Sequence, residues 1–201
     1  MAKLTLKDLK NLQEDEELDL SAMQLTEFPL ALPMVSRLST VDLSQNSIAF
    51  LPNEICKMNR LIRLDLGKNR IHHLPNDIGN LTSLQHLNLQ GNDIEELPLS
   101  FANLKSLKWL DLRNNPLEDK LAKAAGNCGN DKECQAAAKN VLNFVSERKK
   151  FIEYQKEKEN KVNEKIKLKN VEEKKKAAKA NGKLFFYVTL KNPTHFKRHW
   201  I

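Results

Sequence analysis

The fold is decided by residues 84–98, which read LQHLNLQGNDIEELP. The pattern of this stretch recurs every 23 residues without an insertion, as the positions equivalent to Asn92 show. Those positions are Met23, Asn46, Asn69, Asn92 and Asn115. A fixed period of this length predicts a solenoid, in which each repeat buries its apolar face against the next one.

Each repeat contains a pair of apolar residues separated by one residue, as Leu87 and Leu89 are. The pairs are Leu18/Leu20, Val41/Leu43, Leu64/Leu66, Leu87/Leu89 and Leu110/Leu112. In a strand such alternation points both apolar residues to one face and the residue between them to the other. The sequence therefore predicts an α/β fold, a leucine-rich-repeat solenoid of five repeats with parallel strands on its concave face. We expect the asparagines to point inward and satisfy backbone groups of neighbouring turns.

Both ends of a solenoid need caps, because the terminal repeats otherwise expose their core. Thr5 and Asp8 have the spacing of a capping box, and the helix that they begin would cover the first repeat with Leu9 and Leu12. At the other end Asp131 is the expected N-cap of a helix. The predicted segments are an N-terminal helical cap at 1–16, repeats at 17–117, a C-terminal helical cap at 118–147, a basic helix at 148–183 and a disordered tail at 184–201.

Charge is distributed unevenly along the chain. Residues 1–147 carry a net charge of −4, whereas the Lys- and Glu-rich residues 148–183 carry +8. We expect the second segment to be a charged helix that ends at Asn181-Gly182, followed by a strand-like stretch at 184–190. Its basic character indicates an anionic partner, such as nucleic acid or an anionic membrane surface, although a merely solvated helix is the equal alternative. The candidate residues are Lys149, Lys150, Lys165, Lys167, Lys169, Lys174, Lys175 and Lys176.

The sequence contains no nucleotide-binding loop, nucleophile motif or metal-binding cluster, so we expect neither an enzyme nor a cofactor, a metal or a small-molecule substrate. The cysteines are Cys56, Cys128 and Cys134, and this odd, sparse set is not a disulfide framework. The first twelve residues have no apolar run typical of a signal peptide. We therefore expect ordinary unpaired cap cysteines in a reducing compartment.

Six residues of the predicted concave face are candidates for partner binding: Trp109, His86, Arg63, Asp65, Asp111 and Arg113. An exposed aromatic side chain on a strand favours an interface, but Trp109 belongs to the last strand and could equally pack under the C-terminal cap. The acids between the paired leucines, Asp19 and Asp42 among them, are expected to form a solvated polar face. Arg63 and Arg113 would offset part of their mutual repulsion.

The C-terminal repeat and cap carry a more specific resemblance. Residues 104–117 read LKSLKWLDLRNNPL, residues 121–128 read LAKAAGNC, residues 132–135 read KECQ and residues 138–142 read AKNVL. These segments resemble a family of endoplasmic-reticulum leucine-rich-repeat proteins described as ribosome-binding. The likeness covers roughly residues 15–146, and the Lys/Glu-rich segment that follows is similar in kind.

The resemblance implies a protein-interaction adaptor at the cytosolic face of the endoplasmic reticulum and the nuclear envelope. It also implies association with ribosomes and a role in nuclear import of a growth factor. Members of that family have a longer charged region and a C-terminal membrane span, whereas the apolar stretch at 184–190 is too short to cross a bilayer. The alternative from a different class is a soluble intracellular signalling scaffold that binds small GTPases or phosphatases.

Overall fold

A computed structural model of the chain describes the backbone of residues 4–191, without the side chains of residues 175 and 178–191. Within this range the helices are α1 (Leu6–Leu12), α2 (Asp119–Ala125) and α3 (Asp131–Lys191). The strands are β1 (Gln13–Glu14), β2 (Glu17–Asp19), β3 (Thr40–Asp42), β4 (Arg63–Asp65), β5 (His86–Asn88) and β6 (Trp109–Asp111). Short 3-10 helices lie between strands, at Leu32–Met34, Asn53–Lys57, Ile78–Asn80 and Leu99–Asn103.

The predicted leucine-rich-repeat fold is confirmed. Strands β2 to β6 are parallel neighbours in chain order, and each residue pairs with the residue at the same position of the next repeat. Thus Leu64 pairs with Leu87, and Leu87 pairs with Leu110. The short strand β1 pairs antiparallel with β2 and was not predicted. It continues directly from α1 and covers the N-terminal edge of the sheet, which would otherwise offer unpaired backbone groups.

The repeated asparagines point into the solenoid and bind the backbone of two adjacent turns. Asn69 is only 7% exposed. Its Nδ2 group donates to the carbonyl oxygens of Leu43 and Leu66 at 2.9 and 3.1 Å, and its Oδ1 atom accepts from the amide of Ile48 at 3.0 Å. Asn46, Asn92 and Asn115 make the equivalent bonds. The amide side chains thereby satisfy donors and acceptors that the strands and 3-10 helices cannot reach.

The N-terminal cap is a short helix with a reciprocal start signal. The hydroxyl of Thr5 accepts from the Asp8 amide at 3.3 Å, while the Asp8 carboxylate accepts from the Thr5 amide at 2.9 Å. This capping box confirms the predicted start of α1. Leu9 is fully buried on the first repeat, but Leu12 is 40% exposed, so the prediction that Leu12 covers the core is wrong. Leu12 is the last residue of α1, where the chain already turns into β1.

The C-terminal cap begins with a different N-cap from the one predicted. Asn130, and not Asp131, caps α3: its Oδ1 atom accepts from the Glu133 amide at 3.1 Å. The Glu133 carboxylate reaches back and accepts from the Gly129 amide at 2.7 Å. Asp131 is the first residue of the helix, which frees its carboxylate for another contact. Val141 and Val145 of α3 and Leu121 of α2 are buried against the last repeat.

Helix α3 continues well past the predicted boundaries. It runs without interruption from Asp131 to Lys191, through Asn181-Gly182. The predicted helix end at Asn181-Gly182 and the predicted strand at 184–190 are therefore wrong. Residues 174–180 are all Lys or Ala, which are strong helix formers, and these offset the cost of about 1 kcal/mol for one interior glycine. The remainder of the predicted tail lies outside the described residues.

The chain divides into two compact units, residues 1–150 and the segment that starts at Phe151. The first unit contains the repeats, both caps and the start of α3. In the second unit, the apolar residues of α3 that are described are largely exposed, including Val162, Ile166 and Leu168. None of the helices within residues 4–191 has a stretch long and apolar enough to cross a membrane.

The asparagine ladder makes a stability prediction. We expect Asn69→Ala to lower the free energy of unfolding by at least ~2 kcal/mol, because it leaves several buried backbone groups without partners. Thermal unfolding followed by circular dichroism would measure the loss. Asn76→Ala is the matched control, since Asn76 is exposed and should change the melting temperature little. Equal effects of the two substitutions would contradict the role given to the ladder.

Candidate functional site

The residues between the paired leucines form a ladder with a structural task. In every repeat the side-chain oxygen at this position accepts from the backbone amide two residues later, at 2.8 to 3.0 Å. The acceptors are Asp19, Asp42, Asp65, Asn88 and Asp111. These bonds fix the turn that leaves each strand. A preference for Asp or Asn at this position therefore follows from backbone geometry, and only the remaining carboxylate lone pairs are available to a partner.

Four of the six predicted partner-binding residues meet in one depression of about 340 Å³ on the concave face. We call it the concave basin. Its lining residues are Arg63, Leu64, Asp65, His86, Asn88, Trp109, Asp131 and Gln135. The parallel register explains this assembly, because Arg63, His86 and Trp109 occupy the same position of β4, β5 and β6.

Trp109 forms the end wall of the concave basin. Its indole Nε1–H donates to the carboxylate of Asp131 at 3.3 Å, and its ring lies 6.1 Å from the ring of His86 with a tilt of 32°. The side chain is half-buried. Trp109 therefore contacts the C-terminal cap through Asp131 and also lines the basin, while its role as an interface anchor stays a prediction.

Asp65 is the half-buried acid of the concave basin. Its two carboxylate oxygens accept from the Gly67 amide at 2.9 Å and from the side-chain amide of Asn88 at 3.0 Å. Burial raises the pKa of Asp65 above its ordinary value, and the nearby Asp42 carboxylate adds to the rise. The hydrogen bonds and Arg63 offset part of this effect. Ionisation of Asp65 therefore lowers the stability of the free protein, because the charged carboxylate is partly removed from water.

His86 and Arg63 complete the electrostatics of the concave basin. Burial and the positive charge of Arg63 lower the pKa of His86. The imidazole is therefore largely neutral at neutral pH and adds no positive charge to the basin. Arg63 is exposed on its β4 position and is the cation among the lining residues.

Asp111 and Arg113 lie beyond the concave basin and occupy one another. Asp111 is 1% exposed, and its carboxylate accepts from Nε and Nη2 of Arg113 at 3.0 and 2.6 Å. This bidentate ion pair neutralises the buried carboxylate and raises the pKa of Arg113. Arg113 thus offsets the charge of Asp111 by direct hydrogen bonds, as expected. Arg63, in contrast, acts on Asp65 only through its charge.

The cysteines of the C-terminal cap are paired, contrary to expectation. Cys128 and Cys134 form a disulfide with Cα atoms 4.5 Å apart, across the loop that leads into α3. Both residues are buried beside Asp111. The sequence contains no indication of this pairing, because three cysteines do not form a regular disulfide pattern. Cys56 is free and buried, and desolvation raises the pKa of its thiol to about 11.

The predicted electrostatic lysines fall into two groups. Lys149 and Lys150 belong to the first unit, where Lys149 Nζ donates to Asn103 Oδ1 at 3.3 Å. The neighbouring Arg148 bridges Glu96 and Glu118 at 3.0 Å each, so this stretch is fixed to the repeats. The second group is exposed on α3: Lys165, Lys167, Lys169, Lys174 and Lys176. The side chain of Lys175 lies outside the described part of the chain.

Comparison with known proteins agrees with this architecture. Residues 36–94 and residues 106–128 each match a family model described as leucine rich repeat. These matches and the register of the strands show that the chain has the leucine-rich-repeat fold. A search of curated proteins finds no match.

Two solved structures show a partial likeness to the chain. A leucine-rich-repeat protein of Leptospira interrogans is 37% identical over 48% of this chain and 25% of its own, with a TM-score of 0.47. An internalin of Listeria monocytogenes is 23% identical over 58% of this chain and 32% of its own, with a TM-score of 0.48. The chain thus spans about a quarter to a third of the length of these structures.

Sequence reasoning missed the part of the concave basin that comes from the C-terminal cap. Asp131 and Gln135 were assigned to the cap helix, yet they lie beside Trp109 and line the basin. The available signal was weak: a polar residue at the start of a helix that packs on the last strand. The contact depends on the path of the loop between α2 and α3, which no repeat pattern specifies.

The raised pKa of Asp65 leads to a pH-dependent prediction. A raised carboxyl pKa in the folded state means that wild-type stability is lost as the pH rises through that pKa, because the buried group must ionise. The stability difference between the wild type and Asp65→Asn should therefore depend on pH. The wild type should gain stability relative to the variant as the pH falls from 7 through the raised pKa toward the unfolded-state value of 3.8, with no further gain below that value. Melting temperatures across this pH range would measure the difference, and a difference that stays constant or changes in the opposite sense would contradict the electrostatic account.

Proposed function

We propose that this leucine-rich-repeat protein is a non-enzymatic adaptor that binds protein partners through its concave face. The observation that carries the proposal is the concave basin, where Trp109 presents a half-buried ring beside charged groups on a rigid sheet. Leucine-rich-repeat domains are typically protein-binding modules, and amphipathic aromatic side chains are enriched at the centres of interfaces. The parallel register holds the lining residues in fixed positions, which lowers the entropy lost on binding.

We further propose that the adaptor acts at the cytosolic face of the endoplasmic reticulum and nuclear envelope, where it associates with ribosomes and assists nuclear import of a growth factor. The support is the resemblance of the last repeat and cap to leucine-rich repeat-containing protein 59. That resemblance covers the cap loop and the start of α3, which are less generic than the repeats. It includes Trp109 and the segments 121–128 and 132–135, so two residues that line the basin, Trp109 and Gln135, are part of the likeness.

The exposed lysines of α3 have a separate role in this proposal. They would supply electrostatic attraction to ribosomal RNA or to an anionic membrane surface, while the concave face supplies specificity. Their exposure supports this role, because side chains in solvent can approach phosphates without displacing protein contacts. Lys149, which contacts Asn103, is less suited to it than Lys165 or Lys167.

Substitution of Trp109 tests the concave face. We expect Trp109→Ala to reduce co-sedimentation with purified ribosomes by about tenfold or more, as truncation of an aromatic anchor usually does. Trp109→Phe is the matched control, since it keeps an aromatic ring while losing the hydrogen bond to Asp131 and part of the ring area, and we expect it to retain most of the binding. A large fall in melting temperature with unchanged ribosome binding would instead assign Trp109 to cap packing alone.

Neutralisation of lysines tests α3. We expect the triple change of Lys165, Lys167 and Lys169 to Gln to weaken ribosome binding and to flatten its dependence on salt, because fewer counterions are released. Co-sedimentation between ~50 and ~200 mM salt would measure both effects. The same change at Lys57, Lys105 and Lys123, which are exposed on the first unit, removes equal charge as a control. If both triples have the same effect, only net charge matters and the role given to α3 is wrong.

A further inference from the structure

We propose that the concave basin binds a lysine or arginine side chain from a basic segment of the partner protein. This inference rests on the proposed function, and it adds the chemistry of the bound segment. The occupant would place its cationic group against Trp109, between the carboxylates of Asp65 and Asp131.

The charge of the concave face supports a cationic occupant. The strand positions and the start of α3 present the carboxylates of Glu17, Asp19, Asp42, Asp65 and Asp131, against the guanidinium group of Arg63. The buried Asp111 and Arg113 form a bidentate pair and cancel one another. Excess negative charge therefore extends from the basin toward the N-terminal repeats, and an extended basic segment would follow it.

The groups inside the concave basin match the requirements of a cation. Trp109 offers a half-buried indole face, and tryptophan is the best aromatic partner for ammonium and guanidinium groups. Its N–H already points to Asp131, which leaves the ring and further lone pairs of that carboxylate for a ligand. Asp65 uses two of its roughly four acceptor positions within the protein. A bound cation would also compensate the cost of holding Asp65 ionised in a half-buried position.

An anionic occupant is disfavoured by the same groups. Arg63 is the one Lys or Arg among the lining residues, which also include the carboxylates of Asp65 and Asp131. Burial and the charge of Arg63 lower the pKa of His86, so the imidazole adds little positive charge at neutral pH. A phosphate or carboxylate ligand would thus meet net repulsion from these groups.

The test uses the full-length chain and two fluorescein-labelled peptides, one of alternating arginine and lysine and one of alternating glutamate and aspartate. Fluorescence anisotropy measures binding of each peptide to the wild type and to Asp65→Asn, Asp131→Asn and Trp109→Leu. Asp77→Asn is the charge-matched control, because Asp77 is exposed beside a 3-10 helix and its side chain makes no capping bond. Circular dichroism verifies that each variant is folded.

We expect the basic peptide to bind the wild type, the acidic peptide not to bind through the basin, and each of the three basin variants to weaken binding by about fivefold or more. Asp77→Asn should bind like the wild type. Equal losses in Asp77→Asn, or no loss in the basin variants, would overturn the inference. Analytical ultracentrifugation tests whether the occupant is a second copy of this chain. If the peptide competes with reversible self-association, and Lys165, Lys167 and Lys169 are needed for that association, the occupant is the basic helix of a second copy. The assignment to a partner protein would then be wrong.

The experiment also separates this inference from the proposed function. If the basic peptide fails to bind while Trp109→Ala still weakens ribosome co-sedimentation, the occupant is not a basic segment and the adaptor role stands. If peptide binding follows the three basin variants while ribosome co-sedimentation ignores Trp109, the ribosome proposal fails and the basin remains a site for basic segments.

Discussion

The structure depends on one recurring need, which is to satisfy buried backbone groups where each turn leaves the sheet. A short strand followed by a 3-10 segment leaves donors and acceptors facing the interior, away from water. An inward asparagine meets this need because its amide both donates and accepts, as Asn69 does toward Leu43, Leu66 and Ile48. Once this side chain fixes the turn, the apolar residues of each repeat are stacked in register, and the outward side chains of the strands are aligned as well.

The repeat pattern was sufficient to predict the solenoid, its parallel register and its concave face. The period specifies which residues are neighbours, so Arg63, His86 and Trp109 could be placed side by side from the sequence. The same reasoning gave Asp65 a surface position but missed its backbone hydrogen bond, because a preference for Asp can arise from turn geometry or from function. Burial and hydrogen bonding of a single side chain depend on details that the period does not contain.

Prediction was weaker where the chain leaves the repeat. The loop between α2 and α3 brings Asp131 to Trp109 and Cys128 to Cys134, and neither contact follows from spacing. The choice between Asn130 and Asp131 as N-cap was also close, because both side chains can accept from a helix amide. Helix α3 continues through Asn181-Gly182, because the Lys and Ala residues that precede this pair favour helix strongly. A single Asn-Gly pair is therefore not sufficient to end a helix at this point.

Each strand pairs only with its neighbours, so the number of repeats in this domain can change without disturbing its two ends. Strands β2 to β5 pair only with the strands on either side, so a whole 23-residue unit could be duplicated or lost at the N-terminal side of β4 without altering Trp109 or the C-terminal cap. Such a change would lengthen or shorten the acidic strip while the basin kept its shape. Evolution could therefore change the length of the acidic strip by one repeat at a time, without changing the concave basin.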